Sequence, residues 1–194
     1  QVLYIIQLFN YNKLTYFGII TVRTASRRLN KKILLKLGNK SIVEHNIQRC
    51  MYYNIKPIIC TTLKSSDNIL IKIANKYKIK YFKGKEKNKI NRWYECAKKY
   101  RLKYFHTIDS DDPYFDPITI KQSLNECKKG YDIVFPSKVS KNGGASEGYS
   151  FSLKSISNLN KDIEINYKKI NFLDTEMIEK FIDRKNFKIK HLEG

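Results

Sequence analysis

The sequence predicts one α/β domain in which a mostly parallel, doubly wound sheet lies between two layers of helices. Three observations predict this fold class. Short runs rich in β-branched and aromatic residues recur along the chain, segments with helical spacing separate most of them, and no internal repeat interrupts the alternation. The 194 residues, 42% of them hydrophobic and 13% aromatic, are enough to build one core of this kind.

The predicted strands are short and end at turn or polar residues, as buried strands of a parallel sheet do. They cover residues 18–22, 57–61, 79–82, 104–108, 132–135, 149–153 and 187–189. Residues 1–17 are an apolar and aromatic lead-in, for which a short strand and a packed extension fit equally well. We therefore place the domain at residues 18–194.

The predicted helices carry apolar residues at intervals near the helical repeat. They cover residues 41–50, 67–77, 90–100, 117–127 and 174–183. Ser41 and Glu44 have the spacing of a capping box at the start of the first helix, and Pro117 suits the first turn of the fourth. The polar stretch that follows residue 153 favours neither a helix nor a strand.

The charge balance of 38 basic and 18 acidic residues gives a net charge of +20, which is typical of proteins with polyanionic partners. Lys, Ile and Asn are abundant in every segment, however, as in proteins encoded by a low-GC genome, and the lysines form no single block. We therefore expect no nucleic-acid partner. A nucleic-acid-binding protein without catalytic activity stays open as an alternative.

The cysteines lie far apart, with no C-x-x-C pair and no histidine at metal-ligand spacing, which argues against a zinc site. They are Cys50, Cys60, Cys96 and Cys127. The apolar run 2–9 lacks the flanks of a secretory signal, and no apolar run approaches the length of about 20 residues that spans a membrane. We expect a cytosolic protein with reduced thiols.

A cationic loop, residues 23–32, follows the predicted strand 18–22. It reads RTASRRLNKK and holds five cations in ten positions. Ligands of an open α/β sheet bind beyond the carboxyl ends of its strands, and the small Ala25 and Ser26 allow backbone N–H groups to approach an anion. A triphosphate is the predicted ligand, and a solvated basic loop is the alternative. The cations that could neutralise the triphosphate are Arg23, Arg28 and Lys32.

An acidic loop, residues 109–117, follows the predicted strand 104–108. Three of its carboxylates fall within four residues, at Asp109, Asp111 and Asp112, and would repel one another unless a cation held them. Oxygen ligands beside bound phosphates suit Mg²⁺, so the loop predicts metal-assisted phosphoryl chemistry at Asp111. For Asp116 we favour a simpler role as the N-cap of the helix that begins at Pro117.

Five segments in order resemble the sugar cytidylyltransferases, including the spore-coat polysaccharide type and, more distantly, the acylneuraminate and 3-deoxy-manno-octulosonate enzymes. The cationic loop matches R-x-x-S-x-R-[LIF]-P-x-K, and the acidic loop matches D-x-P-L-[IF]-D-P from Asp111 onwards. Residues 59–62 resemble the end of the second strand, with an aspartate expected at position 67. The further matches are G-x-x-x-x-x-[LIV]-x-R at residues 84–92 and FLDTE at residues 172–176.

The resemblance implies the fold of nucleotide-diphospho-sugar transferases and an Mg²⁺-dependent transfer of CMP from CTP to a sugar or sugar phosphate for surface polysaccharides. It places Arg23, Ser26, Arg28 and Lys32 on the triphosphate, Thr61 and Thr62 near the base, and Arg92 near the nucleotide or the acceptor. Asp111 and Asp174 are the implied magnesium ligands. Gly144 and Glu147, in the glycine-containing loop 137–148, would shape and close the acceptor pocket.

The departures from the family pattern are Ala25 for Gly, Asn30 for Pro, Tyr114 for Leu and Phe172 for the first Asp of a D-x-D. The missing acid at position 172 leaves Asp174 as the candidate ligand from that segment. A member that binds nucleotide without turnover therefore stays open, as does a glycosyltransferase that uses Asp109 and Asp111 as its D-x-D. The resemblance also leaves a homodimer open.

Overall fold

The computed structural model of the protein describes residues 15–25, 31–135, 148–167, 175 and 178–192. Its strands are β1 (Tyr16–Thr21), β2 (Lys36–Leu37), β3 (Lys40–Ser41), β4 (Ile55–Thr62), β5 (Lys80–Gly84), β6 (Tyr104–Asp109), β7 (Ile133–Phe135), β8 (Ser150–Ser152) and β9 (Ile189–His191). Its α-helices are α1 (Ile42–Tyr52), α2 (Asn68–Lys76), α3 (Lys89–Lys99), α4 (Pro117–Lys128) and α5 (Leu153–Asn166). One-turn 3-10 helices lie at Lys32–Leu34, Ser65–Asp67 and Ile178–Phe181.

Seven of these strands form one sheet in the order β5-β4-β1-β6-β8-β7-β9. The strands β5, β4, β1 and β6 are parallel to one another, whereas β8 pairs antiparallel with both β6 and β7. The small strands β2 and β3 pair separately as an antiparallel hairpin. The mostly parallel sheet that the sequence predicts is therefore confirmed.

Helices cover both faces of the sheet. On one face, α1 and α2 bury residues such as Ile47 and Leu70 against β1 and β4, and α4 buries Leu124 beside β6 and β8. On the other face, α3 and α5 pack around the fully buried Trp93 and Phe151. Burial of apolar side chains in these two layers is the main force that holds the domain together, and it confirms the predicted three-layer arrangement.

Helix α5, which begins directly after β8, is not predicted by the sequence pattern. Its apolar side chains Ile156, Leu159 and Ile163 are buried at helical spacing, and Ser152 with Ser155 forms a capping box at its start. The spacing was present in the sequence. The Asn and Ser residues between these apolar positions favour turns over helix interiors, so the helical spacing was not recognised.

The carboxyl-terminal predictions also need correction. Within the described residues, the predicted helix 174–183 is only the 3-10 turn Ile178–Phe181, and the chain is not helical at Ile182 and Asp183. The last strand lies two residues later than predicted, at Ile189–His191, because it pairs with β7 and the ring of His191 stacks on Phe135 with centroids 4.8 Å apart. The first strand begins at Tyr16, so the last two residues of the predicted lead-in, Tyr16 and Phe17, belong to the sheet. None of the helices so described has the length and apolar character of a membrane span.

Candidate active site

The strands β4, β1 and β6 end side by side at one edge of the sheet. Thr21, the last residue of β1, is in register with Cys60 of β4 and with Asp109 of β6. The loops that leave these strand ends therefore start within one or two strand spacings of each other. Strand order also changes direction at β1, which is the position where open α/β sheets bind ligands.

The cationic loop and the acidic loop meet through an ion pair between Lys32 and Asp111. Lys32 opens a 3-10 turn that the buried side chain of Ile33 fixes against the core, and its side chain is 26% exposed. The carboxylate side chain of Asp111 is 47% exposed, so solvent or a ligand has access to it. The structure thus brings together the loop predicted to bind phosphate and the loop predicted to bind metal.

Arg23 lies two residues beyond the end of β1 and is partly buried at the same edge of the sheet. The next residue, Thr24, is buried, and its backbone N–H and its hydroxyl both donate to the carboxylate of Asp67, at 2.8 and 2.6 Å. The backbone carbonyl of Thr24 accepts a hydrogen bond from Lys31, at 2.9 Å. Thr24 therefore links both described ends of the cationic loop, since it lies in the first end and binds Lys31 in the second.

Thr61 and Thr62 lie at the end of β4 and are fully buried. Both hydroxyls donate to Asp67, and the backbone N–H of Thr62 does so at 3.3 Å. Their predicted place near the base stays a prediction, but these hydroxyls already have a protein partner. In the structure they hold a carboxylate that in turn holds the cationic loop.

Asp67 is a buried carboxylate whose hydrogen bonds favour the ionised form. Its burial alone would raise its pKa, but the hydrogen bonds from Thr24, Thr62 and Thr61 outweigh that effect and lower the pKa below its ordinary value. From the sequence, Asp67 is predicted only as the start of the helix 67–77 and as a position of the family pattern, and a capping role there is not what the structure shows. Its neighbourhood of three threonines, from two strand ends, follows from the strand order β4-β1 and could not be read from spacing.

Helix α1 holds the acidic loop in place. The side-chain amide of the fully buried Asn46 donates to the carbonyl of Ser110 at 2.7 Å, and Arg49 Nε donates to the carbonyl of Phe115 at 2.8 Å. Asp116 accepts from the backbone N–H groups of Ile118 and Thr119, which confirms it as the N-cap of α4. The sequence analysis missed both α1 residues, although a buried-face asparagine beside Val43, Ile47 and Cys50 was a usable signal.

Arg92, predicted to lie near the nucleotide or the acceptor, is 3% exposed in α3. Its Nη1 donates to the carbonyls of Lys85 and Glu86, at 2.6 and 2.9 Å, so it supports the loop that follows β5. Gly84 ends that strand, and a side chain there would come within 2.9 Å of the Arg92 stem. The guanidinium therefore shapes the backbone of residues 84–86, and a direct contact with substrate stays a prediction.

The remaining predicted site residues lie outside the described part of the chain: Ser26, Arg28, Gly144, Glu147 and Asp174. Thr175, next to Asp174, is described and fully buried. Its hydroxyl accepts from the backbone N–H of Lys89 at 2.7 Å, and its own N–H donates to the carbonyl of Lys87 at 3.1 Å. This contact fixes Thr175 at the start of α3, next to the loop that Arg92 supports.

The donor set suits a magnesium ion that is bound mainly by its substrate. Among the residues described here, no three His, Cys, Asp or Glu side chains gather as a metal site. Asp111 nevertheless offers an accessible carboxylate beside cations that suit phosphate. Mg²⁺ in proteins commonly takes one or two carboxylates, with phosphate oxygens and water completing its shell. A protein cage is therefore not required, and Asp111 fits this role.

The sequence pattern of the cytidylyltransferase family matches residues 17–184, which is most of the chain. The chain belongs to this family. The family that the motifs predicted is thereby confirmed, and the match favours a nucleotidyltransferase over the glycosyltransferase alternative. A relative in Methanocaldococcus jannaschii, the uncharacterized protein MJ1063, is 35% identical over 98 residues. That match covers 50% of this chain and only 40% of the relative's length.

Solved structures of cytidylyltransferases share the fold. A cytidylyltransferase from Leptospira borgpetersenii superposes with a TM-score of 0.74 at 19% identity, over 93% of this chain and 77% of that one. CMP:2-keto-3-deoxy-manno-octonic acid synthetase, solved with CTP, gives a TM-score of 0.69 at 12% identity, over 93% and 90% of the two chains. At these identities the similarity shows that this member of the family has the nucleotide-diphospho-sugar transferase fold, and it does not identify an acceptor.

Proposed function

We propose that this chain transfers CMP from CTP to a sugar or a sugar phosphate and releases pyrophosphate, as a step in surface polysaccharide synthesis. One observation carries the proposal: the cationic loop and the acidic loop meet at Lys32 and Asp111, where β1 and β6 end. A metal-bound triphosphate needs cations for its phosphates and a carboxylate for its metal at one place. Membership of the cytidylyltransferase family supports the choice of CTP.

In this proposal an acceptor oxygen forms a bond to the α-phosphorus of CTP while the bond from that phosphorus to the β-phosphate oxygen breaks. The acceptor proton passes to water, and pyrophosphate leaves. Arg23 and Lys32 bind the phosphates and stabilise the charge that develops on the leaving group. Bound at Asp111, Mg²⁺ would supply further charge neutralisation and help to orient the phosphates.

The acceptor assignment is supported by the motifs of the sugar branch of the family and by a similar fold in CMP:2-keto-3-deoxy-manno-octonic acid synthetase. Gly144 and Glu147 are the proposed acceptor contacts, with Asp174 as a further metal ligand. Ser26 and Arg28 join Arg23 and Lys32 in the proposed phosphate site.

Thermal stabilisation by nucleotides tests the proposal directly, because a ligand that binds the folded state raises the melting temperature. The four nucleoside triphosphates are compared with Mg²⁺ present, and pyrophosphate release is then measured with CTP and a panel of sugars and sugar phosphates. A preferential shift with CTP and acceptor-dependent pyrophosphate release are expected. Stabilisation by another triphosphate, CTP binding without turnover, or hydrolysis of a UDP- or GDP-sugar would contradict the proposed reaction.

A further inference from the structure

Asp67 is the last residue of the 3-10 turn Ser65–Asp67, directly before α2, and its backbone is already helical, with φ of −84° and ψ of −2°. Its side chain makes no capping hydrogen bond to α2. Both carboxylate oxygens face the strand ends instead. Oδ1 accepts the N–H and the hydroxyl of Thr24, and Oδ2 accepts donors from Thr61 and Thr62. An N-cap residue caps its helix from a non-helical backbone, so the helical backbone of Asp67 leaves its carboxylate available for these contacts.

The two carboxylate oxygens of Asp67 accept hydrogen bonds from two different chain segments. Oδ2 ties the carboxylate to the end of β4, which is buried and part of the sheet. Among the residues that the structure describes, Oδ1 binds only Thr24, which lies beyond the last paired residue of β1. Asp67 therefore connects a rigid element to the residue from which the cationic loop leaves.

Thr24 in turn makes hydrogen bonds at both described ends of the cationic loop. Its N–H and hydroxyl are held by Asp67, and its carbonyl accepts the N–H of Lys31, where the chain returns. Lys31 adopts a left-handed backbone conformation with φ of 56°, and Lys32, the next residue, pairs with Asp111. A shift of Thr24 would move Arg23 on one side and Lys32 on the other.

The carboxylate is not needed to pair the strands. Hydrogen bonds between β1 and β4 already run from Tyr16 to Thr21, and Val22 donates to the carbonyl of Cys60 at 3.1 Å. Asp67 is 1% exposed, and its hydrogen-bond donors in the described part of the chain carry no charge. A buried ionised group costs desolvation energy, and apolar residues of similar size often stabilise a core at least as well.

We propose that Asp67 is a positioning residue for the nucleotide: by holding Thr24 it fixes the root of the cationic loop, so that Arg23 and Lys32 face the phosphates of CTP. This inference rests on the proposed function, because it assigns Asp67 a part in triphosphate affinity. It extends that function to a residue that does not touch the substrate. The expected signature is a loss of CTP affinity greater than the loss of stability accounts for.

Thr24→Val and Thr107→Val are the matched pair that tests it. Both threonines are buried, at 2% and 1% exposure, and each variant removes one hydroxyl that bonds within the protein. Thr107 lies in the neighbouring strand β6, and its hydroxyl accepts the backbone N–H of Tyr149 at 2.9 Å, away from Asp67. Thr24→Ser keeps the hydroxyl that bonds Asp67 and serves as the rescue.

CTP dissociation constants and urea unfolding curves are measured for the wild type and each variant. Thr24→Val should weaken CTP binding about tenfold, as expected for one lost hydrogen bond, whereas Thr107→Val should stay within about twofold at a similar loss of stability. Thr24→Ser should bind like the wild type. Asp67→Asn replaces one carboxylate oxygen with an NH₂ group, which cannot accept the hydrogen bonds that this oxygen accepts. If this variant folds, its CTP binding should be weaker still.

Equal CTP affinity in Thr24→Val and Thr107→Val, whether unchanged or lowered in both, would overturn the positioning role of Asp67 while the proposed function stood. Failure of the wild type itself to bind CTP would overturn the proposed function and this inference with it. Since the threonine pair does not depend on the folding of Asp67→Asn, an unfolded Asp67→Asn protein leaves the test intact.

Discussion

Lys32 and Asp111 lie 79 positions apart in the sequence and form an ion pair where β1 and β6 end. Each is the charged group that its loop would present to a metal-bound triphosphate. In the free protein the two charges neutralise each other. When CTP binds, we expect Lys32 to pair with a phosphate and Asp111 to bind the metal ion. Each of the two charges then still faces an opposite charge.

Replacement of Lys32 with methionine should weaken CTP binding by roughly 1.5 to 3 kcal/mol, the cost of a charge-assisted hydrogen bond. The affinity loss is about 10- to 100-fold and is measured by calorimetric titration. Lys36→Met, on the exposed strand β2, is the matched control because it removes the same charge outside the cationic loop. Equal affinity in Lys32→Met and wild type would remove Lys32 from the phosphate site.

Replacement of Asp111 with asparagine should abolish turnover and preserve the fold. The ion pair with Lys32 is partly exposed, and pairs of this kind contribute at most about 1 kcal/mol to stability. Pyrophosphate release should fall by at least about 100-fold, since the charged ligand for the metal is lost. Asp112→Asn is the control, because an asparagine oxygen can still accept the N–H of Tyr114. Near-normal release by Asp111→Asn would exclude the metal role.

Gly148 should tolerate no side chain. Its φ is +78°, and an added Cβ would lie 1.7 Å from the carbonyl oxygen of Thr107, which is backbone and cannot move aside alone. We expect Gly148→Ala to destabilise the protein by at least about 3 kcal/mol in urea unfolding. Gly130 also has a positive φ, of +104°, but meets nothing within 4 Å. Gly130→Ala should therefore cost only about 1 kcal/mol, and similar losses at the two glycines would contradict the predicted clash.

Glu44 should make stability depend on pH in the acid range. Burial acts to raise its pKa, but hydrogen bonds from Lys76, Ser41 and Tyr77 prevail and bring it down from 4.5 to about 2. The folded state thus binds the proton less readily than the unfolded state does. The stabilisation is complete above pH 4.5 and is lost as the pH falls from there to about 2.

Comparison of wild type with Glu44→Gln by urea unfolding checks this dependence. The difference in unfolding free energy should be largest near about pH 6 and should shrink steadily below pH 4.5. Lys76→Met removes one donor and should shift the decline toward pH 4.5. A difference that stays constant across the acid range would show that the carboxylate is not specifically stabilised.

Most elements were predictable because their signals are local. The capping box of Ser41 and Glu44 and the N-cap at Asp116 are both present in the structure at the predicted residues. The helix α5 shows the limit of such signals, since its apolar spacing competes with residues that favour turns. Burial against β8 and α3 resolves that competition, and burial is a property of the whole fold.

The candidate site likewise has features that local sequence patterns predict and contacts that only the whole fold determines. Charge and position after a predicted strand identified the cationic and acidic loops as candidates, and the order of the motifs predicted the cytidylyltransferase family. The partners of Thr61, Thr62 and Arg92 could not be predicted, because hydrogen bonds between distant segments depend on strand order and register.

The sequence by itself determined the alternation of strands and helices, the family, and the charge of each loop, since these follow from residue type and short-range spacing. Only the tertiary structure decided that Lys32 meets Asp111 and that Asp67 holds Thr24. The physical reason is that these contacts arise where separate strands end side by side, and which ends become neighbours is fixed by the packing of the entire sheet.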